Sequence, residues 1–327
     1  MGKLRLDYLK NLVLQKPIAF VLALFLVIVA FVMPNFFSAR NLYNYLVQSA
    51  DMVVISCGIM LLLLNGSIDL SVAAVTGLGS VIAAMIMNNR NGWLAGSPFA
   101  VIAGIAVIFA ISLAVSAVNS FSVIKLKIPS FIATMASNMI FMGTALFISQ
   151  ATTIGDLPAS FNKIASGSVL QIPIPVVIAA VIVVITWFLL SKSVFGRKLY
   201  AIGSSQKVSL ISGIPVKKTI FQTFMISGSF VALGSVIFMS RMTVGMAGIA
   251  ENRTLDYVTA AVLGGTSVYG GSGSTSGTVI GVALLILINN SLNMLGFQWY
   301  VISVIKGSIL LIMALVDAAR ITAANKN

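Results

Sequence analysis

The sequence predicts an all-α protein that crosses a membrane several times, and three observations predict this class. Of its 327 residues, 59% are hydrophobic and only 8% are charged, against about 25% in an ordinary soluble domain. A soluble fold of this size needs far more charge on its surface, so the composition excludes a soluble enzyme. A chain this apolar is not intrinsically disordered either. The third observation is a series of long charge-free runs, each close to the length of a membrane-spanning helix.

A helix needs about 20 mostly apolar residues to cross the hydrocarbon core of a bilayer. The charge-free runs provide about ten such spans, at residues 17–36, 46–64, 70–87, 99–121, 130–149, 173–190, 220–239, 255–268, 275–294 and 298–316. The spans at 46–64 and 255–268 are the weakest, because the first contains strongly polar residues and the second is short. Each is alternatively a broken or half helix, which a membrane tolerates only where protein or a water-filled cavity covers the backbone. Residues 1–327 then form one transmembrane domain of ten spans, or of eight spans with two re-entrant segments.

The basic residues predict the orientation of the spans. Most of the 20 Lys and Arg residues lie in four regions: the N-terminal segment, the loop at 122–129, the loop at 191–218 and the C-terminal segment. Ten spans place all four regions on one side, which the positive-inside rule identifies as the cytoplasm. Both termini are therefore expected there. The net charge of +13 reflects this topology, and we expect no nucleic-acid partner.

The motifs of several enzyme classes are absent from the sequence. It contains no GxxxxGK[ST] phosphate-binding loop, no His and a single cysteine, Cys57. The Gly-rich stretch 264–273 lacks the Lys of a phosphate-binding loop and the third Gly of a dinucleotide fingerprint. We therefore expect a protein that is not an enzyme and has no cofactor or metal site.

Two Gly-rich stretches interrupt the apolar runs. The first, Asn65-Gly66-Ser67-Ile68-Asp69-Leu70-Ser71, follows a Leu run and precedes a Gly-rich helix. Either Ser67 or Asp69 caps that helix, or the stretch is a break that exposes backbone polar groups to a solute. The second stretch contains the pairs Gly264-Gly265 and Gly270-Gly271, which also indicate a backbone break. Gly273, Gly277 and Gly281 recur every four residues after it, which favours a helix face that packs closely against a neighbour.

Polar side chains also occur within the predicted spans. Asn119, Asn289 and Asn293 either form hydrogen bonds between helices or offer hydrogen bonds to a polar, uncharged solute. Lys306 lies eleven residues before Asp317, which places it about 16 Å deep at about 1.5 Å per residue. A charge at that depth needs a partner or a cavity, and Asp69 and Asp256 are both candidate partners.

The basic loop Ser191–Thr219 contains a predicted short helix. A Ser at 204 or 205 can cap its start, while Gly213 and Pro215 mark its end. Val208 and Ile211 then share one face. This helix either lies on the lipid surface or docks a cytoplasmic partner.

Several motifs, in this order along almost the whole chain, resemble the permease subunits of ribose/xylose/galactose-type ABC importers. They are Pro34-Asn35-Phe36-Phe37 with Asn41-Leu42, the Gly66–Ser71 break, Lys127–Thr134, Gly196–Gly203 with Leu210–Ile214, Val262–Gly271, and Asn289–Asn293. The sequence departs from the family pattern at Ser205-Gln206-Lys207 in the basic loop and at Thr254, where the family usually has acidic residues.

The resemblance implies a channel of two permease copies, a homodimer or a heterodimer, in the lipid bilayer of the cytoplasmic (inner) membrane. A cytoplasmic ABC ATPase drives it, and an extracytoplasmic sugar-binding protein delivers the solute. Together with the breaks, it predicts a translocation pathway that includes Asn65, Gly66, Ser67, Asp69, Ser71, Asn119, Phe131, Gly264, Gly265, Asn289, Asn293 and Lys306. Residues 191–219 become the ATPase coupling loop, with contacts expected at Gly196, Arg197, Lys198, Ala201, Gly203, Lys207, Leu210, Gly213 and Pro215.

A neutral polar solute such as a ribose-like monosaccharide suits a pathway rich in Asn, Ser and Thr. The alternative function is an ion- or proton-coupled secondary transporter of a neutral polar solute. Such a protein needs an ion site within its spans, and Asp69, Asp256 and Lys306 are the candidate groups for one.

Overall fold

The computed structural model describes residues 36–324 and shows a bundle of α-helices with one two-stranded hairpin. The predicted span at 17–36 and the basic N-terminal segment lie outside the described residues, apart from Phe36. The helices are α1 (Ala39–Leu64), α2 (Val72–Met87), α3 (Ala100–Ile124), α4 (Ser130–Ser149), α5 (Ala159–Ser166), α6 (Ile174–Ser191), α7 (Val194–Ser204), α8 (Gln206–Ile211), α9 (Val216–Met242), α10 (Thr254–Leu263), α11 (Thr275–Met294) and α12 (Trp299–Ala324).

Within residues 36–324, six helices are long and apolar enough to cross a membrane: α1, α3, α4, α6, α9 and α11. Two further apolar helices are shorter, namely α2 and the Trp299–Leu315 part of α12. The prediction of an all-α polytopic membrane protein is confirmed at this level. The predicted spans 130–149 and 275–294 coincide with α4 and α11.

Helix α1 lies at the centre of the bundle, between α9, α6, α10 and α11. The alternative of a broken helix at 46–64 is wrong, because α1 runs without interruption from Ala39 to Leu64. Its strongly polar residues find partners inside the protein: the Asp51 carboxylate, for example, is fully buried between two arginines. Partners of this kind let a helix with polar residues stay intact at membrane depth.

The half-helix alternative at 255–268 is confirmed in α10, which has only 10 residues. Helix α2 is also short, at 16 residues, and follows the non-helical segment 65–71, whereas a single 3-10 turn, Glu251–Arg253, leads directly into α10. Their N-termini are adjacent, since the Ala73 N–H donates to Thr254 Oγ1 at 3.1 Å. From this point α2 and α10 run to opposite ends of the bundle. We call the end that holds Leu64, the start of α4 and helices α7 and α8 the basic end.

The segment between α4 and α6 forms a small cap at the opposite end that the sequence did not predict. Strands β1 (Ser168–Val169) and β2 (Ile172–Pro173) form its antiparallel hairpin. The turn residues Leu170 and Gln171 both have positive φ, the geometry for which Asn-Gly is the usual sequence signal. Helix α5 packs on α9, where the Ser240 hydroxyl donates to the Phe161 carbonyl at 2.8 Å.

Candidate transport pathway and coupling surface

The first break, 65–71, begins with a turn at Asn65-Gly66 and continues as irregular chain that is covered by one face of α4. The Ile68 N–H donates to Ser130 Oγ at 3.1 Å and the Leu70 N–H to Thr134 Oγ1 at 3.0 Å. One turn further along α4, Asn138 Oδ1 accepts from the Ala74 N–H at 3.3 Å. The spacing of four residues places these three side chains on one helix face. They satisfy backbone groups that would otherwise be unpaired at membrane depth.

A buried polar network connects the end of this break to α3 and α4. Asp69 Oδ1 accepts from both the N–H and the hydroxyl of Ser71, at 2.8 and 2.6 Å. Asn119 donates to Ser71 Oγ at 3.0 Å and accepts from the Ser137 hydroxyl at 2.5 Å. Asn119 therefore joins helices, one of its two predicted roles.

The prediction that Ser67 or Asp69 caps α2 is wrong. The carboxylate of Asp69 is occupied by Ser71, and the first free N–H groups of the helix bond to Thr254 and Asn138 from other elements. The N-terminus of α2 is therefore capped by side chains from distant parts of the chain, and the residues next to it in the sequence give no signal for this.

The second break, 264–274, packs closely on α11. A side chain at Gly277 or Gly281 would overlap the backbone of Gly264 or Ala260, which confirms the predicted close packing for these two glycines. Gly273 precedes the helix, which begins at Thr275, so it does not share that face; its φ of 157° is one that residues with a side chain rarely adopt. Gly264 is itself in contact with Gly277, and Gly265 has φ 89° in the turn that ends α10.

The two breaks meet each other at the basic end. The Gly271 N–H donates to the Leu64 carbonyl at 3.0 Å. Gly203, in α7, lies against both groups so closely that any Cβ there would overlap them. The Tyr200 hydroxyl donates to the Gly273 carbonyl at 2.8 Å. Helix α7 is therefore in direct contact with both interruptions of the bundle.

The short helix predicted in the basic loop is observed as α8. Ser205 Oγ accepts from the Val208 N–H at 3.3 Å at its start, and Gly213 has φ 78° after its end. The residues before it form a second helix, α7, capped by Ser193. The apolar side chains of α8 face away from the bundle, since Val208 and Ile211 are 61% and 79% exposed.

The predicted coupling residues divide into packed and exposed groups. Gly196 makes the tight junction with the end of α6, and Gly203 contacts the breaks. The exposed members among them include Arg197, Lys207 and Leu210.

A cavity of about 620 Å³ lies between α8 and the ends of α3, α4 and α9. Its lining includes Gly66, Ser67, Lys127, Ser130, Lys207, Leu210 and Lys217.

A charged cluster lies in the half of the bundle away from the basic end. The fully buried Asp51 carboxylate contacts Arg241 at 3.2 Å and Arg253 at 3.0 Å. The guanidinium carbon of Arg253 also lies 4.4 Å from the centroid of the Phe238 ring. The sequence alone does not connect these arginines with Asp51, because they lie about 190 and 200 residues after it in the chain.

Lys306 pairs with Asp256 at 2.8 Å, which decides between its two candidate partners. Both groups border a cavity of about 380 Å³ that also touches the charged cluster. Its lining is Gln48, Met52, Arg241, Met242, Asn252, Arg253, Asp256, Leu285, Ile286, Asn289 and Lys306.

The predicted pathway residues thus fall into separate places. Gly66 and Ser67 line the cavity at the basic end, and Asn289 and Lys306 line the other cavity. Asp69, Ser71 and Asn119 lie in the buried network between helices. The remaining predicted residues line neither cavity: Asn65, whose side chain accepts from the Ser67 N–H; the closely packed Gly264 and Gly265; Asn293; and Phe131, which is 51% exposed on α4.

Long apolar helices, interrupted spans with covered backbone and polar cavities define a multi-pass membrane permease. Residues 41–314 match the family described as branched-chain amino acid transport system / permease component, and the chain belongs to that family.

Characterised relatives share most of their length with this chain. The ribose import permease protein RbsC of Bacillus subtilis (strain 168) is 36% identical over 90% of both chains. The D-allose transport system permease protein AlsC of Escherichia coli (strain K12) is 33% identical, over 91% of this chain and 90% of its own. The L-arabinose transport system permease protein AraH of the same strain is 30% identical, over 91% and 88%. No solved structure matches. The chain is thus a permease of the sugar ABC importer type, as the sequence resemblance predicted.

Proposed function

We propose that this protein is the membrane subunit of an ATP-binding cassette importer that carries a ribose-like monosaccharide across the cytoplasmic membrane. Separate ATPase subunits drive the transport, and an extracytoplasmic binding protein delivers the sugar. Two copies of the chain form the channel, as a homodimer. The relatives named for ribose, D-allose and L-arabinose support a monosaccharide as the solute.

The observation that carries the proposal is the position of Gly203. The helix that contains it contacts Leu64 and Gly271, the points where the two breaks meet. A displacement of α7 by an ATPase would therefore act directly on both interrupted segments. The exposed apolar side chains of α8 (Val208, Leu210 and Ile211) and the exposed Arg197 supply a docking surface for that partner.

The same arrangement supports the proposed sidedness. In this proposal the basic end faces the cytoplasm, because the loops at 122–129 and 191–218 are both there. The span predicted at 17–36 and the remaining nine then give ten crossings with both termini in the cytoplasm. Two of these ten crossings are only partly α-helical: the non-helical break 65–71 precedes α2, and the 3-10 turn Glu251–Arg253 precedes α10.

In this proposal the solute passes from the cavity at Asn289 and Lys306 to the cavity at Gly66 and Ser67. The buried network at Asp69, Ser71 and Asn119 lies between α2, α3 and α4 and holds the first break in shape. These groups rearrange when the ATPase acts on α7.

The test is ATP-driven uptake by the assembled transporter in proteoliposomes. Uptake of radiolabelled D-ribose, D-allose or L-arabinose is expected only with ATP, the ATPase and the binding protein present. Charge reversal at two coupling residues, Arg197→Glu with Lys198→Glu, is expected to leave ATP hydrolysis intact and abolish uptake. Ionophore-sensitive uptake by the permease alone would contradict the proposal and favour a secondary transporter.

A further inference from the structure

The cavity at Asn289 contains hydrogen-bonding capacity that no described residue uses. The side-chain amides of Gln48, Asn252 and Asn289 line it, and none of them makes a hydrogen bond to another residue within 36–324. They come from α1, the loop before α10, and α11. Gln48 and Asn252 are exposed and Asn289 is half-buried, so all three amides are open to the cavity and can form hydrogen bonds with a molecule in it.

The charged groups of the cavity are already paired. Asp256 contacts Lys306 at 2.8 Å, and Asp51 holds Arg241 and Arg253 at 3.2 and 3.0 Å. The three amides are then the uncharged groups of the lining with free donors and acceptors, while Arg241 Nε is a buried donor of the charged cluster without a hydrogen-bond partner among the described residues. Each amide has one acceptor oxygen and two N–H donors, which suits a hydroxyl group because a hydroxyl both donates and accepts.

The rest of the lining fits the carbon skeleton of a small polyol. Met52, Leu285 and Ile286 provide apolar surface beside the amides. A volume of about 380 Å³ lies at the small end of the range for ligand cavities, about 300–1,000 Å³. Such a cavity has room for one monosaccharide.

The geometry points to a binding site for one neutral monosaccharide in this cavity, with Gln48, Asn252 and Asn289 as its hydroxyl-binding groups. The inference rests on the proposed function and adds to it a defined resting place for the sugar inside the permease. The ion pairs Asp51–Arg241, Asp51–Arg253 and Lys306–Asp256 fix the walls of the site. A sugar then binds the membrane subunit itself, and not only the binding protein.

The inference is tested by protecting a cysteine placed in the cavity. The natural Cys57 is fully buried and is the one cysteine of the sequence, so a Cys57→Ala background leaves a single reactive thiol in the variant Met242→Cys. Met242 lines the cavity and is 41% exposed, and it is not one of the three amides. The variant is assembled with its ATPase and labelled with a membrane-impermeant methanethiosulfonate. At a sugar concentration of about ten times Kd, labelling slows about tenfold, because only the empty fraction reacts.

The probes are D-ribose, D-allose, L-arabinose and D-ribose 5-phosphate, each at millimolar concentration. A sugar that protects Met242→Cys should also protect a second variant at another lining position, Ile286→Cys. It should leave Asn44→Cys unprotected, since Asn44 is exposed one turn from Gln48 on α1 and does not line the cavity. Protection by D-ribose 5-phosphate alone would overturn the assignment of a neutral sugar.

The outcomes separate this inference from the proposed function. If the wild-type transporter imports sugar with ATP but no sugar protects either cavity cysteine, the site is wrong and the function stands. If sugar protects both cysteines but uptake follows an ion gradient without ATP, the site stands and the proposed function is wrong. Binding-protein-stimulated ATP hydrolysis by each cysteine variant verifies that it is folded and assembled.

Discussion

The carbonyl of Leu64 accepts a hydrogen bond from the N–H of Gly271 at 3.0 Å, across more than 200 residues of sequence. This bond joins the end of α1, where the first break begins, to the turn before α11, which belongs to the second break. Gly203 of α7 covers the bond from the basic end. Helix α7 and the two interrupted segments are therefore in contact through backbone atoms, with no side chain between them.

The Gly203→Ala variant is expected to separate these three elements. Its Cβ would overlap the backbone of Leu64 and Gly271, and overpacking of this kind costs about 1–3 kcal/mol. We expect a lower melting temperature in detergent and loss of ATP-driven uptake. The matched control is Gly143→Ala in α4, where a Cβ meets nothing within 4 Å. An unchanged melting temperature for Gly203→Ala would show that α7 can shift to accommodate the Cβ without loss of stability, which would contradict this prediction.

The Asp51→Asn variant tests the buried charge cluster. It leaves Arg241 and Arg253 without their carboxylate, and breaking a buried ion pair typically costs about 3–5 kcal/mol. Thermal unfolding in detergent is the measurement. Asp156→Asn is the control, because its partner Arg90 has an 83% exposed side chain and exposed pairs contribute about 1 kcal/mol or less. Equal losses in the two variants would contradict a special role for Asp51.

The Thr134→Val variant keeps the shape of the side chain and removes a hydroxyl that covers the first break. The Leu70 N–H then loses its acceptor, at an expected cost of about 1 kcal/mol for a hydrogen bond inside a membrane protein. Faster amide hydrogen exchange at Leu70 is the direct measurement. Thr144→Val is the control on the same helix, because that hydroxyl bonds only to the Ile140 carbonyl of its own turn. If Leu70 exchanges equally slowly in both variants, its N–H has another acceptor.

A double-mutant cycle at Lys306 and Asp256 tests whether the two charges form a coupled pair. Their side chains are 21% and 16% exposed, so each single variant, Lys306→Met or Asp256→Asn, should cost about 1–2 kcal/mol, below the value for a fully buried pair. The double variant should lose less stability than the sum of the two. Additive losses would mean that the pair contributes no coupling energy.

The spans could be predicted from the sequence because hydrophobicity is local: charge-free runs predicted the ends of α4 and α11 to the residue. The first break was also visible, since Asn65-Gly66 ends a Leu run. What the break bonds to was not visible, because Ser130, Thr134 and Asn138 lie over 60 residues away.

The same limit applies to the charged cluster. The span at 46–64 looked interrupted because it contains strongly polar residues, and Asp51 is one of them. The two arginines that pair with Asp51 are at 241 and 253, and only the folded bundle brings them together. Lys306 was recognised as a charge in need of a partner, and the sequence reduced the choice to two acids. A pairing between residues 50 positions apart needed the fold to decide it.

Helices α1 and α9 differ from α3, α4 and α6 in how much of them the protein covers. The most apolar windows of α1 and α9 are 83% and 78% buried, against 28%, 22% and 28% for the other three. Changes in bilayer thickness act on lipid-facing helices through hydrophobic mismatch and tilt. The outer helices can therefore adapt to membranes of different thickness, while the protein covers α1, which runs from the cavity at Gln48 and Met52 to Leu64.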